Sequence, residues 1–264
     1  MKREFLGTQK KIKQVRDLRK GIYILPNFFT TCSLFCAFYS IIASFNGDFT
    51  KAAWAILISA VFDWLDGKIA RISNSMSQFG VEYDSLSDLI AFGVSPGILI
   101  YSWALTPFGR VGWLAAFLYV ACTALRLARF NVNSPNVETR YFQGLPCPGA
   151  GALIATTIII AYHTGWVDTS RHITILLLTF FLSFMMVSKI RYHSLKKLEV
   201  TGTIPFQILV ITLCVIILIA AEPQITLFVV FFLYAFSGPL LALVRRMVVI
   251  WKKAKEKKPG DVKV

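Results

Sequence analysis

The chain has 264 residues, 56% of them hydrophobic and 16% charged, with a mean hydropathy of +0.62. That balance excludes a soluble globular domain and places the protein among polytopic membrane proteins. The net charge of +14 follows membrane topology and attraction to anionic lipid; it is not a nucleic-acid footprint, and no nucleic-acid partner is expected.

The first segment, 1–21, is a basic arm. Leu6, Ile12, Val15 and Leu18 recur among its lysines and arginines, which predicts either an amphipathic juxtamembrane helix on the cytoplasmic leaflet or a solvated basic tail. No small-residue cleavage site follows it, so a secretory signal peptide is not expected. Eight apolar segments near the spanning length of ~20 residues then follow, at 27–45, 52–72, 80–105, 111–130, 149–164, 172–190, 204–221 and 224–246. The predicted fold is an all-α polytopic membrane protein of about eight transmembrane helices, with a membrane catalytic domain over 22–250 and a basic tail over 251–264. Of the basic residues, all but Lys51, Arg110 and Arg171 fall on the side of the two termini. Both termini are therefore expected in the cytoplasm.

The chemistry concentrates where the second and third segments meet. Asp63, Asp66, Asp84 and Asp88 stand at spacings of three, eighteen and four. Residues three or four apart share a helix face, so the acids form two pairs, joined by the turn SNSMS at 73–77 near the cytoplasmic surface. An ionisable group at membrane depth costs about 2.5–3.5 kcal/mol, and like charges in one site repel further. Polar helix ends, with Asp63 and Asp84 as caps or ion-pair partners, account for one acid but not for four. Hard divalent cations with oxygen ligands account for the set. Lys68 and Arg71 stand beside it for an anionic substrate. Gly67, Ala70 and Gly80 leave room for a flat group against the backbone, although small residues are also common wherever membrane helices meet.

The frame Asp63-x2-Asp66-Gly67-x2-Ala70-Arg71-x8-Gly80-x3-Asp84-x3-Asp88 resembles, at each fixed position, the signature of the CDP-alcohol phosphotransferase family of integral membrane enzymes. LPNFFTTCSLFCAFYSI at 25–41, LRLARFN at 125–131 and FQGLPCPGAG at 142–151 are similar to the branch of that family whose acceptor is serine. The resemblance implies that Asp63, Asp66 and Asp84 are ligands of Mg2+ or Mn2+, two ions in all, with Asp88 a ligand or the general base. It implies that Gly67 and Ala70 contact the cytidine and Arg71 the diphosphate of CDP-diacylglycerol or a CDP-diether lipid. It also implies transfer to L-serine with release of CMP, and a homodimer in the membrane.

Outside the frame the residues leave alternatives open. Asn27, with Pro26, Thr30 and Thr31 at the start of the first span, either caps that helix or reaches the cytidine. Arg126 and Arg129, at i and i+3 and followed by Asn131, either grip the carboxylate of serine or anchor the helix at the membrane surface. Lys189 and Arg191 are second candidates for the same roles. The stretch 143–149, with its prolines and glycines, is expected to be irregular and to lie as a loop over the site. His163, His172 and His193 form no HxK motif, so a covalent phosphatidyl-enzyme has no evident nucleophile. The five cysteines show no CxxC pair and are expected to be reduced and packed. A glycerol phosphate or inositol phosphate acceptor remains a runner-up within the same chemistry. A divalent-cation transporter or channel would not require the small residues and Arg71 at these distances.

Overall fold

The computed structural model describes residues 25–73, 77–133, 141–166, 173–193 and 221–256, together with Val210 and Leu213. Among the described residues the helices are α1 Leu25–Phe45, α2 Phe49–Ile72, α3 Gln78–Phe108, α4 Arg110–Asn133, α5 Cys147–His163, α6 Ile173–Val187 and α7 Pro223–Glu256. Of these, α1, α3, the Arg110–Val132 part of α4 and the Pro223–Ala242 part of α7 are long and apolar enough to cross a bilayer, and α5 and α6 are shorter apolar helices. This is the architecture of a multi-pass integral membrane protein. With 24 residues, α2 is long enough to span, but Lys51, Asp63, Asp66, Lys68 and Arg71 give it a different composition from its neighbours. The expected span at 204–221 and the basic arm at 1–21 lie outside the described residues, apart from isolated helical positions in the former. The last helix continues to Glu256, past the expected end of the apolar segment at 246.

At the centre of the bundle, α5 packs on α2 and α7, while α4 packs on α6. Small residues explain the close contacts around α5. A Cβ on Gly151 would lie 3.4 Å from the Phe92 Cα of α3 and 3.3 Å from Pro96, and one on Gly149 would lie 3.2 Å from the Tyr234 ring of α7. Between apolar helices in lipid, such backbone proximity replaces the hydrophobic effect as the source of association. On the other side, the hydroxyls of Ser33 of α1 and Ser59 of α2 lie 2.8 Å apart, each also within 3.0–3.1 Å of the other's backbone carbonyl, so that the two O–H groups share these acceptors across the helix pair. That clasp lies one turn before Asp63.

Two features depart from a plain helical reading. First, α3 is not uniform: it opens into wider π-type turns at Ile90–Val94 and Tyr101–Leu105. The first of these begins two residues after Asp88 and ends before Pro96, which cannot donate to the Phe92 carbonyl four residues back. Second, the segment between α4 and α5 forms a small antiparallel pair with the segment that follows α6, Tyr141–Gln143 (β1) with Arg191–His193 (β2), in the register Tyr141 to His193 and Gln143 to Arg191. The stretch 143–149 was expected to be irregular throughout; instead Cys147, Pro148 and Gly149 form the first turn of α5. Proline is tolerated there because first-turn N–H groups have no helical acceptor.

Candidate active site

The site is assembled from the inner parts of α2 and α3, lined by α1, α4 and the start of α5. In α2 the i, i+3 spacing sets Asp63 and Asp66 on one face. Ser77 begins α3 by accepting a hydrogen bond from the Gly80 N–H at 3.0 Å, and this N-cap fixes the entry of the helix that carries Asp84 and Asp88. Carboxylate oxygens of Asp63, Asp66 and Asp84 all lie within 4.8 Å of one another. Asp66 is only 4% exposed.

The surroundings of these oxygens fit a cation. Oδ2 of Asp66 and Oδ1 of Asp84 are buried without a hydrogen-bond partner, an arrangement that is costly for carboxylates unless a positive ion completes it. Asp88 is in hydrogen-bonding contact with Asp63; two ionised carboxylates cannot hold such a contact without a proton or cation between them. Thr30, 3% exposed, sets its hydroxyl between the Asp66 carboxylate and the Pro26 carbonyl. The Ser87 hydroxyl in turn donates to the Thr30 carbonyl at 3.3 Å. An all-oxygen set of this kind suits a hard divalent metal.

Around the acids, the residues expected on the nucleotide side form two local groups, Arg71 with Gly67 and Gly80 with Asn27. Arg71 curls back along its helix, its Nε donating to the Gly67 carbonyl at 2.8 Å. A Cβ on Gly80 would lie 3.3 Å from Asn27 Oδ1 and 3.1 Å from Ser77 Oγ, so the bare glycine admits both polar groups. Asn27 sits in helical backbone within α1, and the capping alternative is therefore replaced by a side chain directed at the start of α3. Ala70 is half-buried on α2. Lys68, in contrast, lies over the Trp64 ring, 4.6 Å from its centroid, and Trp64 is 57% exposed.

The two arginines of α4 separate. Arg126 is half-buried, hydrogen-bonded with the Cys147 thiol, and Cys147 is also within electrostatic range of Asp88. Arg129 is exposed and donates to the Val187 carbonyl at the end of α6 at 3.0 Å. Asn131 pairs with Ser85, its Nδ2 donating to Ser85 Oγ at 3.0 Å, which ties α4 to α3 beside Asp84. Cys147, Ser85 and Ser87 were not singled out from sequence; the FQGLPCPGAG motif was the available signal for the first. Cys32, Cys36, Cys122 and Cys147 are free thiols, and Cys214 lies outside the described residues.

The fold and the site together define a multi-pass helical membrane protein with a carboxylate cluster that could hold a metal ion. Residues 23–187 match the sequence model of the CDP-alcohol phosphatidyltransferase family, and the chain belongs to that family. It is 32% identical over 234 residues to the CDP-diacylglycerol–serine O-phosphatidyltransferase of Helicobacter pylori, covering 89% of this chain and 97% of that protein. The protein of the same description from Bacillus subtilis is 34% identical over 173 residues, 66% of this chain and 92% of that one. An archaetidylserine synthase from Methanothermobacter thermautotrophicus is 37% identical over 170 residues, 64% of this chain and 69% of its own length.

Proposed function

We propose that this protein transfers the phosphatidyl group of CDP-diacylglycerol to the hydroxyl of L-serine, giving phosphatidylserine and CMP. The observation that carries the reading is the set of carboxylate oxygens from Asp63, Asp66 and Asp84 within 4.8 Å of one another, two of their oxygens buried without partners. The names of the relatives above supply the substrates, and a CDP-diether lipid presents the same diphosphate.

In this reading Asp63, Asp66 and Asp84 hold Mg2+ or Mn2+, with Asp88 at the edge of a two-ion site. A divalent ion held there would supply positive charge for the diphosphate oxygens and for the departing phosphate of CMP. Gly67, Ala70, Gly80, Asn27 and Thr30 form the wall against which the cytidine lies, and Arg71 meets the diphosphate. Asp88 takes the proton from the serine hydroxyl as its oxygen attacks the phosphorus bearing diacylglycerol and the bond to CMP breaks in line. Arg126 holds the serine carboxylate, Asn131 fixes the α3–α4 contact beside it, and Arg129 is an anchor at the membrane surface. The positive-inside distribution of the sequence supports a cytoplasmic side for this site and both termini.

The test is CMP release from CDP-diacylglycerol by purified protein in detergent with Mg2+ or Mn2+, offering L-serine, glycerol 3-phosphate and inositol phosphate in parallel. Metal-dependent release with serine alone is expected. Release with a phosphorylated acceptor instead replaces the acceptor, and no release with any acceptor overturns the enzyme assignment.

A further inference from the structure

We propose that residues 143–149 are an arginine cradle: Gly144 and Cys147, closed from α7 by Tyr234, fix the Arg126 guanidinium against the start of α5, and this cradle selects the acceptor by its carboxylate. The inference rests on the serine reading above and assigns a purpose to the FQGLPCPGAG stretch, which the metal chemistry leaves unused.

The backbone of the cradle is held by its neighbours. Beyond the β1–β2 pair, the Gly144 N–H donates to the Ile190 carbonyl at 2.8 Å and the Leu145 N–H to the Met185 carbonyl at 3.0 Å. This straps the segment to the end of α6. Gly144 has φ +77°, and a Cβ there would meet the Met186 carbonyl and come to 3.1 Å from Arg126 Nη1. The position therefore requires glycine twice: for its backbone and for the space the guanidinium occupies.

The side chains complete it. Cys147, 2% exposed, hydrogen-bonds with Arg126 and lies within electrostatic range of Asp88. Gly149 lets the Tyr234 ring approach to 3.2 Å from where its Cβ would be, and Tyr234 interacts electrostatically with Arg126. Tyr234 falls outside the matched segment 23–187, so the last wall of this pocket comes from a helix beyond the family-wide part of the chain.

Chemistry gives the arrangement its meaning. Serine separates its hydroxyl from its carboxylate by two carbons, so the groups that read them have to stand side by side. An arginine free in solution loses about 2 kcal/mol of side-chain entropy when fixed; a guanidinium already held in place offers its planar fork to a carboxylate without that loss. Cys147 and Tyr234 are accordingly positioning residues.

The experiment compares L-serine with serinol, which keeps the hydroxyl and amine but lacks the carboxylate, in steady-state kinetics with CDP-diacylglycerol. Cys147→Val and Tyr234→Phe are each expected to cut the serine-over-serinol preference about tenfold, through a higher KM for serine and an unchanged KM for CDP-diacylglycerol. Cys147→Ser, which keeps a hydrogen-bonding group, is expected to recover most of the loss. The unchanged CDP-lipid KM reports that the variants are folded, and Tyr234→Phe, which retains the ring, decides the matter if Cys147→Val does not fold. Wild-type protein that uses serine while both variants keep their preference, or variants in which both KM values rise together, overturns the cradle alone. Wild-type protein that releases no CMP with serine overturns the acceptor assignment and the cradle with it.

Discussion

The Tyr119 hydroxyl donates to the Phe92 carbonyl oxygen at 2.9 Å, in the interior of the bundle where Tyr119 is 0% exposed. Phe92 lies in the π-type turn that follows Asp88, and its carbonyl is the one to which Pro96 has no N–H to offer. A side chain of α4 thus satisfies the backbone of α3 where proline leaves it short. Tyr119→Phe leaves that carbonyl buried and unpaired, at a cost of about 1–3 kcal/mol. The expected result is a lower thermal midpoint in detergent, with CDP-lipid still bound; an unchanged midpoint would show that the turn finds another donor.

Asp88→Asn is expected to abolish CMP release while CDP-diacylglycerol binding survives, because the amide keeps the shape of the carboxylate and loses its ability to take a proton. Equilibrium binding of the CDP-lipid measured beside turnover separates the two. Substantial turnover in this variant would remove Asp88 as the base.

Asp84→Asn removes a charged oxygen from the carboxylate cluster and is expected to weaken divalent-cation affinity by at least about tenfold. Titration of Mn2+ followed by electron paramagnetic resonance reads this without any substrate. In the wild type, saturating Mg2+ should raise the thermal midpoint, by linkage amounting to about 2.7 kcal/mol at a hundred times the dissociation constant. A chelator should reverse that rise.

Gly144→Ala and Gly47→Ala make a controlled pair. Both glycines have positive φ, +77° and +79°, but a Cβ on Gly47 meets nothing within 4 Å whereas one on Gly144 meets the Met186 carbonyl and Arg126. Gly47→Ala should cost about 1–2 kcal/mol from its backbone conformation alone. The Gly144 variant should cost clearly more, measured as the difference between the two thermal midpoints.

Ser33 and Ser59 should couple in a double-mutant cycle. Each single change to alanine leaves the other hydroxyl buried with one partner fewer, whereas the double change removes both. The combined loss is expected to fall short of the sum of the singles by about 0.5–1.5 kcal/mol. Full additivity would mean that each hydroxyl is satisfied by backbone alone.

The helices and the acidic frame were legible because both follow from local rules. Apolar runs of spanning length announce the helices, and spacings of three and four put Asp63 with Asp66 and Asp84 with Asp88 on common faces whatever surrounds them. The start of α5 was less legible: the prolines and glycines of 143–149 signal irregular chain, and only Pro146 at the N-cap and Pro148 within the first turn of α5 show where irregularity ends. The π-type turns of α3 were not legible, since a carbonyl that lacks a helical partner is tolerated only when something like Tyr119 stands opposite.

By itself, then, the sequence determined a membrane-embedded helical protein with clustered carboxylates facing a short turn, because period and hydropathy are properties of single segments. Tertiary structure decided that Arg126 turns toward Cys147 while Arg129 turns toward Val187, that Asn131 docks on Ser85, and that a helix beyond the family segment reaches the same pocket. Arginines three residues apart share a helix face in any sequence. Which of them enters a site depends on the partners that other elements bring, and those partnerships are set by packing across the bundle, where glycines leave the space and hydrogen-bonding groups fill it.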